Sequence, residues 1–167
     1  MTIQQFNHLT THQAKVELFK CCGSSVWAEK LACKIPFNSI EELKMESDKI
    51  WNDCSDEDAL EAFIHHPKIG NIKSLEKKFA STKQWATGEQ AGVNEASQDI
   101  LQDLANGNEE YEKKFGYIFI ECATGKTAAE MFALLQQRLP NSLDKEMKIA
   151  MHEQNKITHI RIDKLFS

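Results

Sequence analysis

Tyr117-Ile118-Phe119-Ile120-Glu121-Cys122-Ala123 is the stretch on which the fold class turns. It is short, apolar and bounded by polar sequence, so a local reading makes it a buried strand. A strand must pair its backbone N–H and C=O groups with a neighbour, and the remaining sequence offers no partner for it. The stretch therefore reads as buried extended chain or the start of a helix. The class that follows is all-α, a helical bundle in one domain over residues 1–167.

Helix signals lie on both sides of it. Upstream, Tyr111 to Gly116 continues helically, and residues 91–105 form a helix ended by Asn106-Gly107-Asn108. Residues 72–84 read as a lysine-rich amphipathic helix. Downstream, Thr127 with Glu130 makes a capping box for a helix through Met131, Leu134 and Leu135, closed by Pro140. The last helix runs from about Leu143 to Leu165. Nearer the N-terminus, Thr10 with Gln13 opens a helix carrying Ala14, Leu18 and Cys22 on one face. Ser24 or Ser25 caps the next, through Trp27 and Leu31, stopped by Pro36. Ser39 forms a capping box with Glu42 ahead of a helix whose Ile40, Leu43, Ile50 and Trp51 keep helical spacing. Ser55 precedes Asp56, Glu57 and Asp58, acids that a helix N-terminus favours. That helix buries Leu60, Phe63 and Ile64 and ends near Pro67. Only three prolines and seven glycines interrupt the chain, and no repeat or linker divides it.

Composition sets the bounds. A chain of 167 residues suits one domain and can bury an independent core. With 41% hydrophobic and 27% charged residues it has an ordinary soluble balance. A formal net charge of −5 argues against a nucleic-acid or anionic-membrane binder, which needs a basic field. Five cysteines (Cys21, Cys22, Cys33, Cys54 and Cys122) form no CxxC pair, which disfavours a zinc site and suits reduced thiols. The first residues lack the apolar core of a signal peptide, and no run approaches the ~18 apolar residues of a membrane span. Leu165-Phe166-Ser167 is not a peroxisomal address. The expectation is a cytoplasmic protein.

Three places invite a chemical reading beside a structural one. His66 precedes Pro67 in His65-His66-Pro67-Lys68-Ile69-Gly70, where a helix has ended beside unpaired carbonyls. Such a place presents an imidazole rigidly, and the negative helix end favours its protonated form; it equally suits a histidine that merely caps its helix. Adjacent histidines chelate one ion poorly, so no metal is expected. Thr87-Gly88-Glu89-Gln90-Ala91-Gly92 flanks a Glu-Gln pair with glycines, which expose backbone amides to a small ligand or simply make a loop. Of the 20 basic residues only Arg138 and Arg161 are arginines. Arg161 lies four residues from both Ile157 and Leu165 on a face shared with Met147, Ala150 and Met151. An inward arginine needs an anion or carbonyls to receive it, from an internal acid or from an anionic substrate. Arg138, near Pro140, reads as a helix C-cap.

Together these residues resemble the 2-oxo-4-hydroxy-4-carboxy-5-ureidoimidazoline (OHCU) decarboxylase family. The matching pieces run from about Phe6 to Leu165. They are His66-Pro67 with Ile69-Gly70, Glu89-Gln90 with Ala91-Gly92, and Tyr111 followed by Phe115-Gly116-Tyr117 with Phe119-Ile120. Arg138-Leu139 with Asn141, Glu146, and Ile157 leading to Arg161 complete them. Ala86 departs from the pattern, since the family often has serine three residues before the glutamate, which puts one side-chain contact in doubt.

The resemblance implies an all-α enzyme that makes (S)-allantoin and CO2 at the end of urate degradation, with no cofactor. It carries His66 over as the proton donor, with Glu89 and Arg161 as its companions. Substrate contacts are implied at Pro67, at Ala86, Thr87, Gly88, Glu89 and Gln90, and at Phe119, Ile120, Glu121, Cys122 and Ala123. A homodimer is expected at the family level. The chemistry fits such a set: the electron pair left by CO2 passes into the imine-like carbon beside it, so the substrate itself is the electron sink. The protein then has to orient, place charge and deliver a proton to one face. Two rivals share the residues in part. A ureide hydrolase would use a similar polar set with a water, and a helical interaction module would need no convergence of His66, Glu89 and Arg161.

Overall fold

The structure, a computed structural model, describes residues 1–66 and 92–167, with backbone alone for 92–97. Its described residues form eight helices: α1 Ile3–Asn7, α2 Thr11–Cys22, α3 Ser25–Ala32, α4 Ile40–Asn52, α5 Asp56–Ile64, α6 Gly92–Phe115, α7 Ala128–Arg138 and α8 Leu143–Leu165. Among the described residues there is no strand, so the fold is all-α as expected. The helix predicted over 72–84 lies outside the described residues. Two compact units emerge, Met1–His66 with Met147–Ser167, and Pro67–Glu146.

In the first unit the capping chemistry sets the helix starts. Thr10 accepts from the Gln13 amide while Gln13 accepts from the Thr10 amide, and Ser55 with Asp58 does the same for α5. Thr2 and Gln5 form a further box that opens α1, a helix the sequence pattern had not suggested. Ser24 caps α3. At Ser39 only half of the expected box forms: Ser39 accepts from the Glu42 amide, but the Glu42 carboxylate turns to the backbone and side chain of Asn38. Phe6, Leu18, Trp27, Leu31, Leu43, Phe63 and Ile162 are fully buried, each contributing about 1.5–3 kcal/mol over exposure. Trp27 keeps its polar edge satisfied by donating Nε1–H to the Ser47 carbonyl at 3.2 Å. The expected inward face of α5 is out of phase. Ala59, Ala62 and Phe63 are buried, whereas Leu60 is 37% and Ile64 76% exposed. Phe63, the largest side chain, turns inward and carries its neighbours one step round.

In the second unit α6 does not stop at residue 105 but runs on through Asn106-Gly107-Asn108 to Phe115. Packing overrides the local turn signal here. A Cβ on Gly107 would stand 2.6 Å from Cδ2 of the fully buried Leu135 on α7, so the missing side chain lets the two helices approach. The unbroken helix also brings Tyr111 into the core at 0% exposure. Its ring meets Phe115, Tyr117 and Phe119 at centroid distances of 4.5, 5.9 and 5.1 Å. Thr127 and Glu130 form the capping box of α7 as expected. Residues 118–123 are neither helix nor strand, which is the extended-chain reading.

Candidate functional site

The first unit assembles a polar centre at the C-terminal end of α2. A helix leaves its last carbonyls without intrahelical partners, and two of them are used. Arg161 Nη1 donates to the Cys21 carbonyl at 3.2 Å, and Gln154 Nε2 donates to the Cys22 carbonyl at 3.3 Å. Both donors come from α8, seven residues apart, so two helical turns bring them to one side. Gly23 closes α2 at φ +87°, and a Cβ there would stand 2.9 Å from the Cβ of His65. Glycine thus permits both the left-handed turn and the close approach of the end of α5.

His66 sits at that α5 end, its amide donating to the Phe63 carbonyl at 3.1 Å. Its ring lies between the two anchored side chains. Nε2 is 2.5 Å from Gln154 Oε1, and Nδ1 is 3.5 Å from Arg161 Nη2. A guanidinium only donates, so the contact at Nδ1 calls for a lone pair there, and the amide oxygen calls for the proton on Nε2. His65 is exposed and lies edge-on against Phe19, with ring centroids 4.9 Å apart. The structure therefore separates the two histidines as the sequence suggested.

Arg161 is half-buried, and neither of its hydrogen bonds among the described residues goes to an acid. The thiols nearby are quiet. Burial pushes Cys21 up to about 11 and Cys22 up to about 12. Cys54 also rises to about 11, chiefly by burial.

The second unit holds a different cluster, centred on Arg138. It is not the helix C-cap that its position suggested: it is 5% exposed. Nε donates to Glu146 Oε1 at 2.6 Å, and Nη1 donates to the Ile120 carbonyl at 2.7 Å and to Glu121 Oε2 at 2.8 Å. Tyr111 donates its hydroxyl to Glu146 at 2.5 Å, and Asn141 Nδ2 donates to the other Glu146 oxygen at 2.7 Å. Burial works against the guanidinium's charge, but Glu146, Tyr111 and Glu121 more than offset it and raise its pKa. Burial, then the bond to Glu146, pushes the Tyr111 hydroxyl well above its ordinary range. This cluster clamps the extended run: Arg138 holds Ile120 and Glu121, and Cζ of Arg138 stacks 4.6 Å from the Phe119 ring centre. Lys126 donates its side chain to the Cys122 carbonyl and its amide to the Ala123 carbonyl. Pro67, Ala86, Thr87, Gly88, Glu89 and Gln90 lie outside the described residues.

A family model described as OHCU decarboxylase matches residues 7–163. The chain belongs to the OHCU decarboxylase family. It is 40% identical over 147 residues to the uric acid degradation bifunctional protein TTL of Arabidopsis thaliana, covering 88% of this chain and 45% of that protein. It is 29% identical over 168 residues to the uric acid degradation bifunctional protein of Bacillus sp. (strain TB-90), covering 99% and 32%. To the 2-oxo-4-hydroxy-4-carboxy-5-ureidoimidazoline decarboxylase of Haloferax volcanii it is 26% identical over 168 residues, covering 100% and 97%. The chain thus spans less than half the length of the two bifunctional relatives and nearly all of the third. A crystal structure of OHCU decarboxylase in the presence of (S)-allantoin superposes with a TM-score of 0.71 at 40% identity, over 90% of this chain and 96% of that one. A structure of (S)-allantoin synthase gives 0.70 at 18% identity, over 100% and 54%, a likeness of fold.

On this OHCU decarboxylase scaffold two residues escaped sequence reasoning. Gln154 and Thr158 are 0% and 1% exposed, yet they are polar residue types that an apolar inward-face pattern does not include. The signal was there in the spacing: Ala150, Gln154, Thr158 and Ile162 recur every four residues and are all buried. That stripe runs beside the Ile157, Arg161 and Leu165 line. Among the described residues no group of three His, Cys, Asp or Glu is placed to hold a metal ion, and no helix is long and apolar enough to cross a membrane.

Proposed function

We propose that this protein decarboxylates 2-oxo-4-hydroxy-4-carboxy-5-ureidoimidazoline to (S)-allantoin and CO2, without a cofactor, in urate degradation. The observation that carries this for the site is the meeting of His66 and Arg161, 95 residues apart in sequence, at 3.5 Å. The family match over residues 7–163 supports the activity and an arrangement as one domain. His66 is the proton donor. Arg161 receives the anionic or carbonyl oxygens of the substrate or holds Glu89, and Glu89 orients His66 or the substrate hydroxyl.

The bond from the ring carbon to the carboxylate breaks, CO2 leaves, and its electron pair moves into the neighbouring C=N. The ring nitrogen takes up a proton, and protonation of the former imine carbon from one face, with loss of the hydroxyl proton, leaves a ring carbonyl and sets the (S) centre. Pro67, Ala86 to Gln90 and the run Phe119 to Ala123 contact the substrate. The run is neither helix nor strand, so its backbone N–H groups are not tied into a helix or ladder, and a ureide offers acceptors to such groups. A homodimer and a cytoplasmic location belong to the same proposal, tested by sedimentation and by cell fractionation.

The deciding experiment supplies freshly generated substrate and follows CO2 release, loss of substrate absorbance and the optical activity of the product. His66→Asn should lower the rate by about 10²–10⁴-fold with the fold intact by circular dichroism. Substrate consumption without CO2 would make the protein a hydrolase; no turnover at all would leave a helical interaction module.

A further inference from the structure

We propose that Gln154 is a positioning residue that fixes the tautomer of His66, an inference resting on the role given to His66 above. The amide of Gln154 has one way round. Its Nε2 donates to the Cys22 carbonyl at 3.3 Å and to Thr158 Oγ1 at 3.2 Å, while the Thr158 hydroxyl spends its own proton on the Gln154 carbonyl at 3.0 Å. Thr158 can therefore only accept from the amide, and the two amide hydrogens are both committed. Oε1 is left to face His66 Nε2 at 2.5 Å, and an amide oxygen accepts only. The proton of the ring must then sit on Nε2. Arg161, anchored on the next carbonyl of α2, reinforces the choice by presenting Nη2 to Nδ1.

Both grips on the ring thus lead back to the last two carbonyls of α2, which serve as a rigid datum. Gln154 and Thr158 are buried, so water does not compete for these bonds. Reversing the amide would turn Oε1 toward the Cys22 carbonyl and Thr158 Oγ1, a loss of two buried hydrogen bonds. An orienting partner of this kind is what determines which imidazole nitrogen carries the proton.

The test uses the full chain labelled with 15N-histidine, with long-range proton–nitrogen spectra reporting which ring nitrogens are protonated. His66→Asn identifies the His66 signals among the six histidines. In the wild type His66 should be protonated at Nε2 and not at Nδ1. Gln154→Met keeps the length of the side chain and removes the acceptor. It should give a mixture of tautomers and a kcat about 10-fold lower, the scale of one buried hydrogen bond to the ring, with KM moved less. Gln154→Glu restores the acceptor, so it should recover the Nε2–H tautomer and most of the rate. Its carboxylate favours the imidazolium, so the acidic limb of the pH–rate profile should move to higher pH. Should Gln154→Met fail to fold, Thr158→Val removes the group that orients the amide and should shift the tautomer the same way.

A folded Gln154→Met enzyme with the wild-type tautomer and kcat overturns the proposal, as does a Gln154→Glu enzyme that rescues neither. A fully active His66→Asn enzyme sinks the catalytic reading instead, and the nitrogen spectra still decide whether Gln154 sets the tautomer.

Discussion

At the scale of single residues, chemistry depends on which neighbour a side chain meets rather than on its type. His65 and His66 are identical groups one residue apart, yet one is exposed against Phe19 and the other is held between Gln154 and Arg161. His65→Asn should leave the decarboxylation rate within a few-fold; a dead, folded variant would mean that the wrong histidine carries the chemistry. Arg161→Lys should lose most activity, because one ammonium cannot reach the Cys21 carbonyl and His66 Nδ1 at once as the guanidinium fork does. Wild-type kcat/KM in that variant would refute the fork. Sequence made both residues candidates, one by its proline and one by its phase on the last helix. Gln154 was illegible there, since a buried polar residue looks like a surface one until its partners are known.

At the scale of elements, two glycines let helices meet, and each should resist enlargement. Gly23→Ala forces a side chain into φ +87° and against His65. The left-handed backbone alone costs roughly 1–2 kcal/mol, which should lower the melting temperature by several degrees. The rate should fall too, as the α2 carbonyls that anchor Arg161 and Gln154 move. An unchanged melting curve would show that this junction has slack. Gly107→Val should destabilise by roughly 2 kcal/mol, read from the urea midpoint, because the added side chain meets the fully buried Leu135. Helix starts were legible from Thr10, Ser24, Ser55 and Thr127, whose caps are local. The path of α6 through Asn106-Gly107-Asn108 was not, because a glycine there looks like a stop until α7 packs on it.

At the scale of the whole molecule, stability should fall in alkali because buried thiols hold their protons in the folded state. Burial raises Cys21 and Cys54 to about 11 and Cys22 to about 12, from an ordinary thiol value of 9.0. The folded state holds these protons more tightly than the unfolded one. Their contribution is therefore complete below about pH 9 and is lost as pH rises towards 11–12. The buried Tyr111 hydroxyl, also raised, adds to the same trend. Urea midpoints from pH 8 to 11 should decline, and a flat profile would contradict the burial of these groups. The Arg138 cluster is the second global determinant. Glu146→Gln leaves a buried guanidinium short of one partner, and should cost about 3 kcal/mol, the low end for a broken buried pair because Glu121 remains.

The sequence by itself determined the class and most helix boundaries. Caps, prolines and hydrophobic spacing act within a few residues, so their physics is complete in the local chain. It also nominated His66 and Arg161, through a proline and a helical phase. Only the tertiary structure decided that Arg138 is buried against Glu146 rather than capping its helix, and that Leu60 and Ile64 face outward. It alone paired Gln154 and Arg161 with the free carbonyls of α2. Those outcomes depend on which distant groups satisfy a charge, a carbonyl or an amide, and that is settled when helices far apart in sequence pack together.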